Sequence, residues 1–109
     1  TASMAVALAA GASYYVMPEL ERLGGVTGWL RAAALAATHR IEMSSHLFPE
    51  VSAHLLAATP TCHFLEYVDW ADKILNEPLS IVGGFAVVPE RPGNGLTWDD
   101  KAVEKYRIT

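Results

Sequence analysis

A single cysteine, Cys62, stands among the 109 residues, and only 18% of them are charged. One thiol cannot close an intrachain disulfide, so no disulfide framework substitutes for a core, and a reducing, cytoplasmic setting is the simpler expectation. Cys62 itself reads as a small buried hydrophobe. The eight Lys and Arg residues form no cluster and the formal net charge is −4, which argues against nucleic acid or an anionic membrane as the main partner. No run of about 20 apolar residues is present, so no segment reads as a membrane-spanning helix. The stretch Ala2 to Ser13 ends in small residues as a signal peptide does, but it lacks the basic leader that such a segment requires. Against this scarcity of charge, 51% of the residues are hydrophobic. The length fits one domain, able to bury about two-thirds of its unfolded surface. The apolar excess predicts that part of the remaining surface meets other protein.

The chain then reads as alternating helices and strands. Ala2 to Ala10 are strong helix formers closed by Gly11. Tyr14 to Met17 follow as a strand apolar on both faces, the pattern of a strand inside a parallel sheet, and Pro18 ends it. Gly24-Gly25 turns the chain, and Thr27 is placed to cap an Ala-rich helix over Gly28 to His39 that packs closely on several sides. A second unit repeats the plan: strand Ile41–Ser45, then Pro49 opening a helix that runs to Ala58, with Val51, Leu55 and Ala58 as its inward stripe and Pro60 as its stop. His63–Val68 supplies a third strand. Strands alternating with helices of this length imply right-handed crossovers and a parallel sheet, whose commonest closed form is the (β/α) barrel. Three strands cannot close one. Beyond Trp70 the turn signals multiply, at Asn76-Glu77-Pro78, Gly83-Gly84, Pro89 and Pro92-Gly93-Asn94-Gly95, around short β-like stretches Ser80–Val82 and Ala86–Val88. A charged helix over Asp99 to Tyr106 closes the chain. Trp29, Trp70 and Trp98 read as packing residues.

Each of the three apolar strands carries a polar group at its end: Glu19, His46 and Glu66. Groups leaving one edge of neighbouring parallel strands, about 4.8 Å apart, can converge on a single ligand. Each has a plainer reading. His46 can be a satisfied structural histidine, Glu66 one half of a buried ion pair, and Glu19 part of a solvated loop salt bridge with Arg22, with Glu21 as the fallback acid. His46, Glu50 and His54 recur every four residues and mimic a helical zinc site, but Pro49 places His46 outside the helix. His54 and His63 read as packed or capping histidines.

Three stretches, Leu23-Gly24-Gly25-Val26-Thr27-Gly28-Trp29, Ser44-Ser45-His46-Leu47-Phe48 and His54-Leu55-Leu56-Ala57-Ala58-Thr59-Pro60-Thr61, resemble the mandelate racemase group of the enolase superfamily. The resemblance covers essentially the whole chain, in the family's order and spacing. It implies an α/β fold, the C-terminal portion of a (β/α)₇β TIM-like barrel, with the last βα units over residues 1–75 and an irregular wrapping tail over 76–109. The family's three carboxylate ligands for Mg²⁺ and its Lys base sit on earlier strands, so the cofactor Mg²⁺ is expected with its ligands outside this chain. A fragment of a larger enzyme is therefore expected, inactive alone.

By the same resemblance His46 matches the general base, Glu66 the electrophilic acid, and Glu19 the carboxylate that partners the histidine. Leu47 and Val68 are expected to bind substrate. The family usually has Asp where Glu19 stands, and a methylene of extra reach matters because a shift of about 1 Å can cost ~10²-fold in rate. Abstraction of a proton beside a carboxylate needs a positioned base and a stabilised enediolate, for which this superfamily is known to use a Lys or His base with Mg²⁺. A Glu19 carboxylate on one ring nitrogen would fix the tautomer of His46. Glu66 would donate a hydrogen bond to the oxyanion, a role that calls for apolar neighbours such as Phe64, Leu65 and Val68. The implied activity is α-proton abstraction from a small carboxylate substrate by an acid-sugar dehydratase or α-hydroxyacid racemase. Its expected partners are the remainder of the barrel, a capping domain and further copies of the enzyme. The alternative is a non-catalytic assembly piece without metal ligands, exposing unfinished sheet edges.

Overall fold

The computed structural model describes residues 2–108; residues 1 and 109, the outer limits of the two expected parts, lie outside them. Helix α1 (Ala2–Ala9) ends at Gly11, whose φ of 62° is the left-handed value glycine accepts freely. Strand β1 (Tyr15–Val16), the short helix α2 (Leu20–Leu23), helix α3 (Val26–Thr38), strand β2 (Glu42–Met43) and helix α4 (Pro49–Ala57) follow. Beyond a 3₁₀ turn (Asp72–Ile74) come β3 (Ser80–Val82), β4 (Phe85–Val87) and α5 (Asp100–Tyr106).

β1 and β2 pair in parallel, Tyr15 opposite Glu42 and Val16 opposite Met43, and the pairing continues as a bridge between Glu19 and His46. The third expected strand, His63–Val68, runs alongside β2 but is not a regular strand. Met43 N donates to Thr61 O at 2.8 Å and His63 N to Met43 O at 3.0 Å, as parallel neighbours do. In the same register Ser45 N would reach the carbonyl of His63; it reaches that of Phe64 instead, at 2.9 Å. One extra residue is therefore inserted, a bulge of the kind that re-aims side chains near functional sites. The bulge strands two amides, and serine hydroxyls take them up: Phe64 N donates to Ser44 Oγ at 3.2 Å and Glu66 N to Ser45 Oγ at 3.0 Å.

One face of this three-segment sheet is packed. Val16, Met43 and Leu65 point at α3 and α4, meeting Trp29, Ala32, Ala33, Ala36, Leu55 and Leu56. The small side chains of α3 allow this close approach. Trp29 is fully buried and its Nε1 donates to Thr59 Oγ1 at 3.0 Å, so the largest core residue also joins α3 to the end of α4. Gly28 has a steric reason: a Cβ there would lie 1.7 Å from the carbonyl oxygen of Leu23, where α2 turns into α3.

The other face is open, which corrects the expectation that Tyr14 to Met17 is buried on both sides. Tyr14 is 91% exposed, Tyr15 55% and Met17 49%, because helices cover the sheet in this chain on one side alone. The radius of gyration, 15.5 Å, exceeds the roughly 13 Å of a compact chain of this length.

Other expectations also change. Thr27 lies inside α3, whose N-cap is Gly25, because the Gly24-Gly25 turn closes α2 and admits α3 two residues early. Ala58 is exposed beyond the end of α4, and the inward face is built from Ser52, Ala53, Leu55 and Leu56, with Val51 half-buried. Cys62 is exposed, being on the outer of the three segments. Trp70 and Trp98 are 74% and 55% exposed, Trp70 lying in a turn and Trp98 in an isolated bridge to Leu75, neither on an element that faces the core.

The tail holds one antiparallel hairpin, β3–β4, turned by Gly83-Gly84 with φ of 57° and 82°. Asn76 N donates to Thr97 O and Asp99 N to Ile74 O, which brings the start and end of the tail together. Asp99, expected as the first residue of the closing helix, is the N-cap of α5, accepting from Lys101 N and Ala102 N.

Candidate active site

The end of the parallel pair places Glu19 and His46 side by side as bridged residues. His46 Nδ1 and Glu19 Oε2 lie 3.1 Å apart. That carboxylate is 13% exposed and the imidazole 40%, so the acid is sheltered while the ring reaches solvent. The same Oε2 lies 3.4 Å from Arg22 Nε on the first turn after the strand. The loop salt bridge and the carboxylate–imidazole pair thus coexist on one oxygen. Glu21, the fallback acid, is exposed on α2 and takes no part. A carboxylate on Nδ1 holds the ring orientation and leaves Nε2 as the free nitrogen.

His46 is followed by a strained turn. Leu47 and Phe48 have φ of 56° and 48°, two successive non-glycine residues in the left-handed region, before Pro49 opens α4. Such conformations cost of order 1–3 kcal/mol each and persist only where their surroundings over-determine them. Here the surroundings are identifiable. Leu47 N donates to Glu66 Oε2 at 2.7 Å, and Leu47 O accepts from Ser52 Oγ at 3.0 Å. Glu66 therefore meets both flanks of His46: its amide bonds to Ser45 and its carboxylate to Leu47.

Glu19 and His46 line a cleft of about 660 Å³ floored by Tyr15, Val16 and Met17. Glu66 lines an adjoining one of about 350 Å³ over the same β1 residues, together with Ser44, Ser45 and Phe64. The structure thus brings Glu19, His46 and Glu66 to one rim, where Leu47 is tied to Glu66 through its amide but lines neither cleft. Val68 lies two residues beyond Glu66, half-buried, and lines neither cleft. Phe64, expected as an apolar neighbour of Glu66, is 69% exposed because the bulge turns it to the open face. Sequence reasoning missed Ser44, Ser45 and Ser52. Two serines at the end of an apolar strand, and a serine three residues into the next helix, were the available signal.

The remaining candidates separate from the rim. His54 Nε2 lies 2.9 Å from Asn94 O, fastening the tail to α4, and His63 Nδ1 lies 3.1 Å from Ser44 Oγ with its ring stacked on Tyr15 at 5.0 Å. Tyr67 donates its hydroxyl to Asp72 Oδ2 at 2.7 Å, and that carboxylate, helped by burial and further acids, pushes the phenol up to about 12. Among the described residues no three His, Cys, Asp or Glu side chains form a metal-binding group, so His46, Glu50 and His54 make no zinc site. Among the described residues no helix is long and apolar enough to cross a membrane.

The enolase C-terminal domain-like family model matches residues 1–102. A crystal structure of an enolase from Bradyrhizobium, complexed with magnesium and mandelic acid, superposes with a TM-score of 0.89 at 52% identity, covering 96% of this chain and 29% of that one. L-Talarate dehydratase from a Polaromonas species, complexed with Mg and L-glucarate, gives 0.87 at 33% identity, over 94% of this chain and 29% of that one. L-Talarate/galactarate dehydratase of Salmonella typhimurium is 34% identical over 98 residues, 90% of this chain and 25% of its own length. This chain thus spans between a quarter and a third of the length of these relatives. Its parallel strands and intervening helices are part of the superfamily's TIM barrel, and the chain belongs to the enolase C-terminal domain-like family of the enolase superfamily.

Proposed function

We propose that the protein carrying this chain is an acid-sugar dehydratase or α-hydroxyacid racemase that abstracts the α-proton of a small carboxylate substrate, with His46 as the base. The observation that carries this reading is the 3.1 Å pairing of His46 Nδ1 with Glu19 at the open rim of a barrel sheet, beside Glu66. Glu19 holds the ring so that Nε2 meets the substrate, and a proton taken from the α-carbon rests on that nitrogen. Glu66 stands on the neighbouring segment as the group facing the oxygen on which charge develops. Leu47, carried by the turn after His46, is the contact for the substrate body.

Relatives complexed with Mg support a Mg²⁺-dependent parent enzyme. The described residues of this chain form no metal-binding group, so the ion's ligands would come from outside it. The two activities share the proton step and separate afterwards: dehydration expels a β-hydroxyl, whereas racemisation needs a second base on the opposite face.

The test is an assay of the full-length protein with Mg²⁺ against galactarate, L-talarate, D-gluconate, D-xylonate and both mandelate enantiomers. Release of a 2-keto acid from a sugar acid supports the dehydratase. Interconversion of the mandelates supports the racemase. A protein that neither binds Mg²⁺ nor exchanges an α-proton on any of these acids would favour the second reading, a non-catalytic assembly piece without metal ligands, to which the exposed Tyr15, Met17 and Phe64 lend support.

A further inference from the structure

The rim contains a chain of hydrogen bonds that the proposed chemistry does not itself use. Ser45 Oγ accepts from Glu66 N at 3.0 Å, Glu66 Oε2 accepts from Leu47 N at 2.7 Å, and Ser52 Oγ donates to Leu47 O at 3.0 Å. Residues 45 and 47 flank His46 directly. Both serines are fully buried, so neither hydroxyl can exchange its protein partner for solvent. Glu66 follows a bulge, where the ladder no longer sets its register, and Leu47 has a φ of 56°, where the backbone conformation is disfavoured. At these two places ordinary secondary structure does not fix the chain.

We infer that Ser45 and Ser52 are positioning residues that hold the His46 and Glu66 side chains in mutual register, Ser45 by fixing the Glu66 backbone after the bulge and Ser52 by locking the left-handed Leu47 turn. The inference rests on the reading of His46 as base and Glu66 as acid. The two serines touch no reacting atom. Ser45 replaces a ladder bond that the bulge removes. Ser52 ties the Leu47 carbonyl to α4, so that the Leu47 amide stays aimed at the Glu66 carboxylate. Loss of either bond lets base and acid drift apart, and displacements near 1 Å at a reacting centre cost up to ~10²-fold in rate.

The experiment compares Ser45→Ala, Ser52→Ala, His46→Asn and a control, Thr38→Ala, in the full-length protein with Mg²⁺. Thr38 makes the same kind of hydroxyl-to-carbonyl bond, to Leu35 O at 2.7 Å, on an exposed part of α3. Ser52→Ala is the safer variant, since alanine suits a helix and leaves little space unfilled. The first readout is the kcat and KM of whichever acid the assay above identifies. Each serine variant is expected to lower kcat about 10- to 100-fold while KM stays within about twofold. The second readout is amide hydrogen exchange, which requires no substrate. The Leu47 and Glu66 amides are expected to exchange at least about tenfold faster in both serine variants, with the Ser44 amide unchanged.

If His46→Asn abolishes turnover while both serine variants keep kcat within twofold and their Leu47 and Glu66 amides stay protected, the inference is overturned and the reading of the site stands. A loss equal to that of Thr38→Ala, or one shared between kcat and KM, overturns it as well. If His46→Asn itself leaves turnover intact, the reading of the site fails, and the exchange data alone then decide whether the serines hold the turn.

Discussion

The described residues contain two pairs of strands held by opposite means. β1 and β2 are joined through a whole helix, α3, and stay together because Val16 and Met43 are pressed against Trp29 and the alanines of that helix. β3 and β4 are joined by two glycines in a local turn; Val82 and Phe85 beside that turn are 62% and 77% exposed. The first pair is non-local, half-buried and carries the site, while the second is local and exposed. The difference teaches where a change will be felt. A rim of polar groups is positioned by the helices behind the sheet, so damage to α3 or α4 reaches His46 and Glu19, and damage to the hairpin does not.

The comparison breaks most severely at Trp29. Trp29→Ala removes the largest buried side chain and is expected to destabilise the protein by about 3–5 kcal/mol, read from denaturant unfolding, with loss of the rim. Thr59→Val is subtler. It leaves the Trp29 indole without its acceptor, at a cost of about 1–3 kcal/mol, and a Thr59→Ser variant that keeps the hydroxyl should recover much of it. On the other side of the comparison, Gly84→Ala forces a Cβ into a left-handed turn and should cost about 1–2 kcal/mol, yet leave the rate at the rim unchanged. Phe85→Ala is expected to change stability by no more than about 0.5 kcal/mol, provided its surface stays uncovered in the full-length protein. A larger loss would show that the hairpin is packed there.

The smallest effect is at the junction of the two regions. Tyr67, one residue beyond Glu66, has its phenol pushed up to about 12 by Asp72. Its folded-state value exceeds the ordinary 10, so the stabilisation is fully present below pH 10 and is lost as the pH rises from 10 through 12. Asp72→Asn should lower the last phenol ionisation seen by ultraviolet titration and flatten that alkaline loss.

The legible part of the fold was the part with local signals. Gly11, Gly24-Gly25 and Pro49 mark element ends by backbone chemistry that needs no knowledge of neighbours, and the helices and turns fall close to where those residues put them. The apolar runs alone placed Glu19 and His46 only at the ends of neighbouring strands, and their pairing was legible through the family resemblance. The bulge at His63–Phe64 was not, since the run His63–Val68 looks regular until it is set against β2, where a one-residue shift turns Phe64 outward. The serines were overlooked for the same reason: Ser45 matters only because the bulge leaves an amide for it. Cys62, Trp70 and Trp98 misled because apolar character states a preference for burial and does not supply the partner that provides it.

The central claim is that the rim formed by Glu19, His46 and Glu66 moves an α-proton. The direct measurement is solvent deuterium incorporation at the α-carbon of a sugar acid or mandelate in D₂O, by the full-length protein with Mg²⁺, compared with its His46→Asn variant. Incorporation by the parent and its loss by at least about 10²-fold in the variant is the expected result; incorporation at an equal rate in both would contradict the account.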